Sequence, residues 1–415
     1  MKKPLFAILI FISLLLFTGC SKDNDNPSPE VEETDNDDTE EENDDEEDDD
    51  DPEEVEAVNP NTIEPQEPAT INSSYTTETV VSGLNIPWGM VFLPDGSILI
   101  SELSGELIHF KDGVKTTVQD TPEVYNVGQG GLLDLKLHPD YPENGWIYIS
   151  YASSEGEGSG GHTAIMRAKL QEDPLALIDK EVLYKGSPNS TSGNHFGSRI
   201  DFDDQGYLYF TIGDRGDYSN NPQDITRDGG KVYRLNDDGT IPGDNPFVGV
   251  SNAKEAIYSY GHRNPQGKLR HPETGEIWVN EHGPQGGDEI NIIENGLNYG
   301  WPVISYGIDY DDSNITDITA MEGMEQPVHY WVPSIAPGGM TFVSSDNYPE
   351  LNGNLLVGSL VMQYLERLVL DSNNNVTARE NLLNNIGRVR NVVQGPDGYI
   401  YIAVEGNGIL RLVEQ

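Results

Sequence analysis

Four short stretches of this 415-residue sequence combine glycines with polar side chains that could act on a bound molecule. Glycine lets the backbone approach a ligand closely, and the neighbouring residues supply an imidazole, a guanidinium or an amide. The stretches are GQGGLLD (128–134), SGNHFGSR (192–199), GHRNPQG (261–267) and EHGPQGGDEINIIENGLNYGWP (281–302). Each one alone is a weak signal, so the chemistry depends on whether the fold brings them together.

The elements that must position these stretches are short strands. Beyond residue 75 the sequence alternates apolar and polar residues, and one phrase recurs: an apolar strand, a turn rich in Pro, Asp and Gly, then a β-rich strand. The phrase occurs at 87–102, 131–152, 198–214, 264–283, 339–360 and 390–407. Six occurrences predict an all-β fold, a six-bladed β-propeller. A two-sheet sandwich would not repeat one hairpin phrase six times.

The four stretches fall at comparable places in successive repeats, beside the first strand of each. We therefore expect them to converge near the propeller axis. The repeats are unevenly spaced, and the surplus residues at 155–195, 213–260 and 302–338 are expected to form loops at one rim, where binding sites are built.

The amino-terminal part has a different composition. Residues 1–20 hold two lysines, an apolar run and Cys20 after small residues, which predicts a lipoprotein signal peptide ending at a lipidated cysteine. Residues 21–75 predict an acidic disordered tether, and residues 76–415 the propeller. We expect an exported protein anchored in the outer membrane through Cys20, on its periplasmic or cell-surface side. A soluble periplasmic protein cleaved elsewhere is the alternative.

Charge excludes one class of partner. Residues 21–60 contain 22 acidic residues and one lysine, and residues 61–415 still carry a net charge of −28. Nucleic-acid binding needs a basic surface, so we expect no nucleic-acid partner. Cys20 is the single cysteine, so no disulfide within the chain supports the fold.

Residues 78–415 resemble the quinoprotein sugar dehydrogenases, the soluble glucose dehydrogenase and aldose sugar dehydrogenase group. The motifs that carry the resemblance are GQGGLLDLKLHPDY, NHFGSR, KVYRLNDDGTIPGDNP, GHRNPQG, HGPQGGDEINIIENGLNYGWP and GRVRNVVQGPDG. The family fold is a six-bladed propeller, in agreement with the repeat count. The resemblance implies oxidation of the C1 hydroxyl of aldoses to lactones, with pyrroloquinoline quinone (PQQ) and calcium as cofactors and an external electron acceptor.

The resemblance also assigns candidate residues. His195 falls where the family has its catalytic base, and a base with a pKa near the working pH suits that role. Arg263 would stabilise negative charge on the reduced quinone. The cofactor-binding candidates are Gln129, Arg263, Asn264, Tyr310, Ser334, Arg388 and Arg390. Arg388 and Arg390 project from one face of a strand and could also be ordinary ion-paired arginines.

The metal candidates form two groups. The main-chain oxygens of Gly283 and Pro284 match the protein ligands of the calcium beside the quinone, because carbonyl oxygens are hard donors. Asp288, Glu289 and Tyr299 resemble a second, structural calcium site. A solvated acidic turn is the alternative for Asp288 and Glu289.

Three departures favour the aldose sugar dehydrogenase branch and a monomer. Val361 stands where the soluble glucose dehydrogenases have a lysine near the cofactor, and Asn194 stands where they have an aspartate before the histidine. The loops at 302–338 are shorter than those of the soluble glucose dehydrogenases. Two alternatives stay open: a calcium-dependent lactonase, which needs carboxylate and asparagine ligands on the axis, and a non-catalytic binding propeller, which Val361 favours.

Overall fold

The computed structural model describes residues 69–70 and 75–415. The predicted signal peptide lies outside the described residues, as does the predicted tether apart from Ala69, Thr70 and Tyr75. Two strands precede the first blade: β1 (Ala69–Thr70) and β2 (Tyr75–Ser82). Among the described residues no helix is long and apolar enough to cross a membrane.

Six sheets account for the remaining strands, and each sheet is one blade. Blade 1 consists of β3 (Pro87–Phe92), β4 (Ile98–Glu102), β5 (Leu107–Lys111) and β6 (Val114–Val118). Blade 2 consists of β7 (Leu132–Leu137), the short helix α1 (Tyr141–Asn144), β8 (Trp146–Ser153), β9 (His162–Glu172) and β10 (Leu175–Lys185). Blade 3 consists of β11 (Ile200–Phe202), β12 (Leu208–Ile212), β13 (Lys231–Leu235) and β14 (Ile257–Tyr260).

The second half of the ring follows the same plan. Blade 4 consists of β15 (Pro265–Arg270), β16 (Ile277–Glu281), β17 (Asp288–Ile293) and β18 (His329–Trp331). Blade 5 consists of β19 (Pro337–Phe342), β20 (Leu355–Ser359), β21 (Leu365–Leu370) and β22 (Val376–Leu383). Blade 6 consists of β23 (Val389–Gln394), β24 (Ile400–Val404) and β25 (Gly408–Glu414), with β2 as its outer strand.

The six-bladed propeller predicted from the repeats is confirmed. Each repeated phrase forms the two innermost strands of one blade, and within the blades successive strands pair antiparallel. The innermost strands β3, β7, β11, β15, β19 and β23 contact one another in sequence around a closed ring. Strand β2 closes the ring by pairing with β25, from Tyr75 opposite Glu414 to Ser82 opposite Gly408. Strand β1 adds to blade 5 in parallel with β22.

Apolar side chains between neighbouring blades form the core. Six clusters of buried residues each join two successive blades, including the junction of blade 6 with blade 1. In the junction of blades 2 and 3, for example, Tyr148 packs against Phe202 with ring centroids 4.9 Å apart. Burying one such large side chain contributes about 1.5–3 kcal/mol. The blades are therefore held by sheet-on-sheet packing, which fixes the positions of the six inner strands.

The inner strands enclose two cavities on the propeller axis. The cavity at their amino-terminal ends, here called the N-end cavity, measures about 310 Å³, and the one at their carboxyl-terminal ends, the C-end cavity, about 570 Å³. Arg199 lies between them. Its guanidinium sits 4.1 Å from the Trp88 ring centroid and donates to the main-chain oxygens of Gln266, Trp88 and Arg390 and to Asp134.

The expected surplus loops are partly strands. Residues 155–195 contain β9 and β10, eleven residues each, which extend blade 2 outward. Residues 213–260 contain β13 and β14 of blade 3. Residues 302–338 are mostly irregular, apart from β18 and the first residues of β19. The long spacing between turns in blade 2 thus reflects long outer strands, which a count of turns does not distinguish from loops.

Candidate active site

The N-end cavity brings together residues from all four glycine-containing stretches. Its walls come from the entry to each inner strand, as expected for motifs repeated at comparable positions. Lining residues include Gln129, Phe196, Gly197, Gln266, His282, Arg388, Arg390 and Glu405. A second cavity of about 560 Å³, here called the rim cavity, adjoins it and shares His282 and Ala336. Gly283, Pro284, Tyr310, Ser334 and Val361 line the rim cavity.

His195 makes a hydrogen bond to a buried carboxylate. Its Nδ1 lies 2.6 Å from Oδ1 of Asp214, whose side chain is 1% exposed. Because a carboxylate accepts, the proton sits on Nδ1, and Nε2 is left with a lone pair. Nε2 has no hydrogen-bond partner among residues 75–415, so this nitrogen is the one available to a substrate hydroxyl.

Two further hydrogen bonds hold the Asp214 carboxylate in place. Trp301 Nε1 donates to Oδ2 at 3.0 Å and the Gly216 amide donates to Oδ1 at 2.7 Å. Burial raises the pKa of Asp214, but the hydrogen bond and charge of His195 and the charge of Arg263 outweigh burial and lower the pKa below its usual range. The carboxylate is thus ionised, and it would stabilise positive charge that develops on the His195 ring during proton transfer.

The backbone around His195 is fixed in an unusual conformation. His195 has φ +55°, in the left-handed region that costs energy for a residue with a side chain. The amide of His195 donates to Oε1 of Gln129 at 2.9 Å, and the Gln129 amide donates to the Gly193 oxygen at 2.7 Å. A Cβ on Gly128 would lie 2.4 Å from the Gly193 oxygen, so glycine is required where the two loops meet. Gln129 therefore positions His195.

Arg215 also stabilises the loop that carries His195. Its guanidinium lies 3.5 Å from the Phe196 ring centroid and donates to the main-chain oxygens of Ser192, Asn194 and Gly161. Asn194 itself is exposed, and the carboxylate that orients His195 is Asp214, nineteen residues farther along the chain. His195 therefore has a carboxylate partner although Asn194 replaces the aspartate before the histidine.

Arg263 and Asn264 lie beside this pair. Arg263 is buried, its guanidinium stands 5.3 Å from the Trp301 ring centroid and its Nη1 donates to the His282 oxygen at 3.0 Å. Oδ1 of Asn264 accepts from the Gly197 amide and from Gln266, both at 3.2 Å. Asn264 thus pins the chain two residues after His195, and only its amide nitrogen is left for a cofactor.

Arg388 and Arg390 share one carboxylate. Arg388 Nε donates to Oε2 of Glu405 at 2.7 Å, and Arg390 Nη2 donates to Oε1 at 2.6 Å. Although burial raises the pKa of Glu405, the two arginines hold it below its usual range. Both guanidinium groups face the N-end cavity, as the strand spacing predicted, and they are also ion-paired. The group of three keeps a net positive charge at this wall.

The loop at Gly283 and Pro284 presents two free carbonyl oxygens. Neither oxygen accepts a hydrogen bond from any residue in the described part of the chain. A Cβ on Gly283 would lie 2.2 Å from the Gly286 oxygen, so the tight loop requires glycine there. Two unengaged hard donors beside the rim cavity fit a calcium ion.

Asp288 holds that loop together. Its carboxylate accepts from the amides of Gly283, Ile335 and Ala336 and from the Ser334 hydroxyl, at 2.7–2.8 Å. Burial raises the pKa of Asp288 to about 6, and these bonds limit the shift. Asp288 and Ser334 thus bond to each other, and their roles as calcium ligand and cofactor contact stay predictions.

The second predicted metal site is only partly assembled. Tyr299 donates its hydroxyl to the Ile292 oxygen at 2.6 Å and accepts from the Glu294 amide, so this hydroxyl is not a metal ligand. Glu289 lines a small cavity with Glu281, and burial together with the charge of Glu281 raises the pKa of Glu289 to about 8. Among the described residues no group of three or more His, Cys, Asp or Glu side chains could hold a metal.

Tyr310 and Val361 lie at the outer edge of the site. Tyr310 is 68% exposed and Val361 54% exposed, and both line the rim cavity. The position where the lysine is missing therefore does face the site. A flat aromatic ring and an aliphatic wall there suit a planar ligand.

Sequence reasoning missed the partners of the predicted residues. Asp214 orients His195, Glu405 pairs with both arginines and Trp301 anchors Asp214. His282 lines both cavities, and its Nε2 bonds to the Pro337 oxygen at 2.9 Å, while burial lowers its pKa to about 3. It is therefore neutral, with Nδ1 as an acceptor. Asp214 follows the inner hairpin of repeat 3 in GDRGD, the one signal that would have drawn attention to it.

Comparison with known proteins identifies the family of the chain. A model of the Glucose / Sorbosone dehydrogenase family matches residues 84–412. The aldose sugar dehydrogenase YliI of Escherichia coli is 39% identical over 345 residues, 81% of this chain and 91% of that protein. Quinoprotein glucose dehydrogenase B of Acinetobacter calcoaceticus is 33% identical over 262 residues, 56% of this chain and 54% of that protein.

A solved structure gives the same result. The PQQ-bound form of aldose sugar dehydrogenase from Streptomyces coelicolor has a TM-score of 0.68 and 28% identity, covering 84% of this chain and 99% of that one. The fold and site thus define a propeller of the sugar dehydrogenase class. The chain belongs to the glucose/sorbosone dehydrogenase family.

Proposed function

We propose that this protein is a PQQ-dependent aldose sugar dehydrogenase that oxidises the C1 hydroxyl of an aldose to the lactone. The observation that carries the proposal is the His195–Asp214 pair, 2.6 Å apart, next in sequence to Phe196, which lines a cavity together with two arginines. Bound PQQ supplies the two-electron acceptor for the hydride that leaves C1. The sugar loses that hydride and its hydroxyl proton, and the electrons pass on to an external acceptor.

The chain's own residues handle the proton. Nε2 of His195 accepts it from the C1 hydroxyl, and the Asp214 carboxylate stabilises the resulting imidazolium without moving. Gln129 and Asn264 hold the backbone on either side of His195, so the nitrogen is positioned before the sugar arrives. Arg263 adds positive charge where negative charge develops on the acceptor.

The residues present fit both proposed cofactors. Arg388 and Arg390 line the N-end cavity with positive charge, which suits carboxylates. Tyr310 and Val361 line the adjoining rim cavity. The free carbonyl oxygens of Gly283 and Pro284 would hold calcium, whose chemistry there is polarisation of a carbonyl.

Reconstitution tests the proposal. Purified protein without cofactor receives PQQ and calcium, and dye reduction is followed with glucose and other aldoses, with the product identified by NMR. We expect a change in quinone absorbance, sugar-dependent dye reduction and a lactone. Absence of the absorbance change together with absence of dye reduction would sink the proposal.

A variant pair tests the role of His195. His195→Ala should lower kcat by about 10²–10⁴ while the quinone absorbance change persists. His109→Ala, a histidine that bonds Ser97 on blade 1, is the matched control and should leave kcat unchanged. Normal turnover by His195→Ala would remove His195 from this role.

The lactonase alternative loses support. It needs several carboxylate ligands converging on the axis, and within residues 75–415 no group of three or more His, Cys, Asp or Glu side chains meets that need. A non-catalytic propeller does not explain the ionised Asp214 held against His195.

We also propose that the protein is an exported monomer anchored in the outer membrane through lipid on Cys20, facing the periplasm or the cell surface. The leader composition and the acidic segment support this location. Fractionation of wild type and Cys20→Ala checks it: wild type should sediment with outer membrane, and the variant should not. Equal sedimentation would refute the anchor.

A further inference from the structure

The C-end cavity holds charged residues that the proposed reaction does not use. Its volume is about 570 Å³, and residues of all six inner strands line it. Five of the lining residues are charged: Asp134, Lys136, Arg199, Asp201 and Lys268. Three cations and two carboxylates give a local excess of one positive charge in a protein that is strongly acidic elsewhere.

Both carboxylates bond to groups other than Lys268. Asp134 accepts from Arg199 and from the Ile200 amide, each at 3.0 Å. Asp201 accepts from Lys136 at 2.6 Å, from the Phe202 amide at 2.9 Å and from the Arg270 amide at 3.2 Å. Neither carboxylate forms a hydrogen bond with the Lys268 ammonium.

Lys268 is the cation without a hydrogen bond. The residue is 7% exposed, yet its Nζ has no hydrogen-bond partner among the described residues. Its nearest aromatic contact is Tyr209, whose ring centroid lies 5.2 Å away. Burial lowers the pKa of Lys268 to about 8, against the opposing charge of Asp201. At pH 7 the ammonium is charged, and an ammonium without partners in a buried position is costly.

We propose that the C-end cavity is a second binding site, in which the Lys268 ammonium binds a small oxyanion of the carboxylate or phosphate type. An oxyanion supplies the acceptors that three unused N–H donors require, and it neutralises the excess charge of the cavity. Met90, Leu135, Leu269 and Met340 supply apolar wall beside the ammonium, and a lower local dielectric strengthens a charge-assisted hydrogen bond. The site is separate from the N-end cavity, because Arg199 lies between them.

Calorimetry tests the site directly. Purified protein at pH 7 is titrated with sodium phosphate and, separately, with sodium acetate, each against sodium chloride at equal ionic strength. We expect saturable binding of at least one of the two, and the one that binds identifies the ligand class. Lys268→Met should weaken that binding at least tenfold, whereas Lys115→Met, at an exposed lysine that donates to the Ser82 oxygen, should not.

Two outcomes would overturn the proposal: no saturable binding of either anion, or equal binding by wild type and Lys268→Met. If Lys268→Met loses its near-ultraviolet circular dichroism, wild-type protein labelled with ¹⁵N-lysine decides. The Lys268 Nζ resonance, assigned by its loss in Lys268→Arg, should shift with the same midpoint as the calorimetric binding. A resonance that stays fixed during a saturating titration contradicts the proposal.

Discussion

The two ends of the propeller axis are built by the same six strands and have opposite character. At the N-end, loops carry Gln129 and Phe196 to the N-end cavity and Gly283 and Pro284 to the adjoining rim cavity. At the C-end, tight turns such as 94–97 and 395–398 border the cavity, and its charges sit on the strands themselves. The strands thus supply a rigid frame, and the loops decide which end performs chemistry.

The largest expected effect is a loss of catalysis at the N-end. Asp214→Asn should lower kcat by about 10²–10⁴, because the amide no longer stabilises a protonated His195 or fixes its tautomer. Dehydrogenase assays with PQQ and calcium measure it. Asp217→Asn, three residues farther along and paired with Arg227, is the control and should keep kcat within twofold. A similar kcat for both variants would contradict the role given to Asp214.

The next largest effect concerns Arg199, which lies between the two cavities. Arg199→Met leaves Asp134 buried without its partner and should lower the free energy of unfolding by about 3–5 kcal/mol. Arg270→Met removes an exposed ion pair with Asp204 and should cost less than about 1 kcal/mol. Urea unfolding followed by fluorescence gives both values. Equal losses of unfolding free energy would mean that the buried Arg199–Asp134 pair contributes no more to stability than the exposed Arg270–Asp204 pair.

A pH titration sharpens the comparison at the C-end. Lys268 has a pKa of about 8 when folded and roughly 10.4 when unfolded, so between these values the unfolded chain binds the extra proton. Stability should therefore rise with pH across this window, by on the order of 1–3 kcal/mol relative to Lys268→Met. The charged neighbours that act on Lys268 are Asp134, Lys136, Asp201 and Asp203. Parallel stability curves for the two proteins would refute the shifted pKa.

The smallest effect concerns the rim of the N-end. Val361→Lys places an ammonium at an exposed position of the rim cavity and should tighten PQQ binding about two- to fivefold. Fluorescence titration with PQQ measures the change, with Val361→Met as the control of similar length and no charge. If both variants bind alike, a cation at this position does not contribute.

The fold could be read from the sequence because its signal is local and repeated. Each of the six phrases contains two strands and their turn, and each formed the inner hairpin of a blade. The outer strands β9 and β10 lie within a segment that the repeat spacing predicts as loop, because the repeated phrase covers only the two inner strands of each blade.

The site was readable only one residue at a time. His195 and Arg390 belong to recognisable motifs, but their partners Asp214 and Glu405 lie outside those motifs. Hydrogen bonds of this kind depend on side-chain directions across the channel, which spacing along one strand does not determine. The same limit applies to Asp288, whose carboxylate accepts four hydrogen bonds that the sequence does not show.

The pairing of β2 with β25 makes closure of the ring depend on distant parts of the chain. Residues 75–82 pair with residues 408–414, and all the other strands of the ring except β1 lie between them in sequence. Contacts so distant in sequence form slowly. Until they form, β2 and the edge of β24 expose unpaired backbone groups, and a chain cut short before β25 carries two such edges. Chains of that kind join one another edge to edge, so the last strand also protects the protein from association.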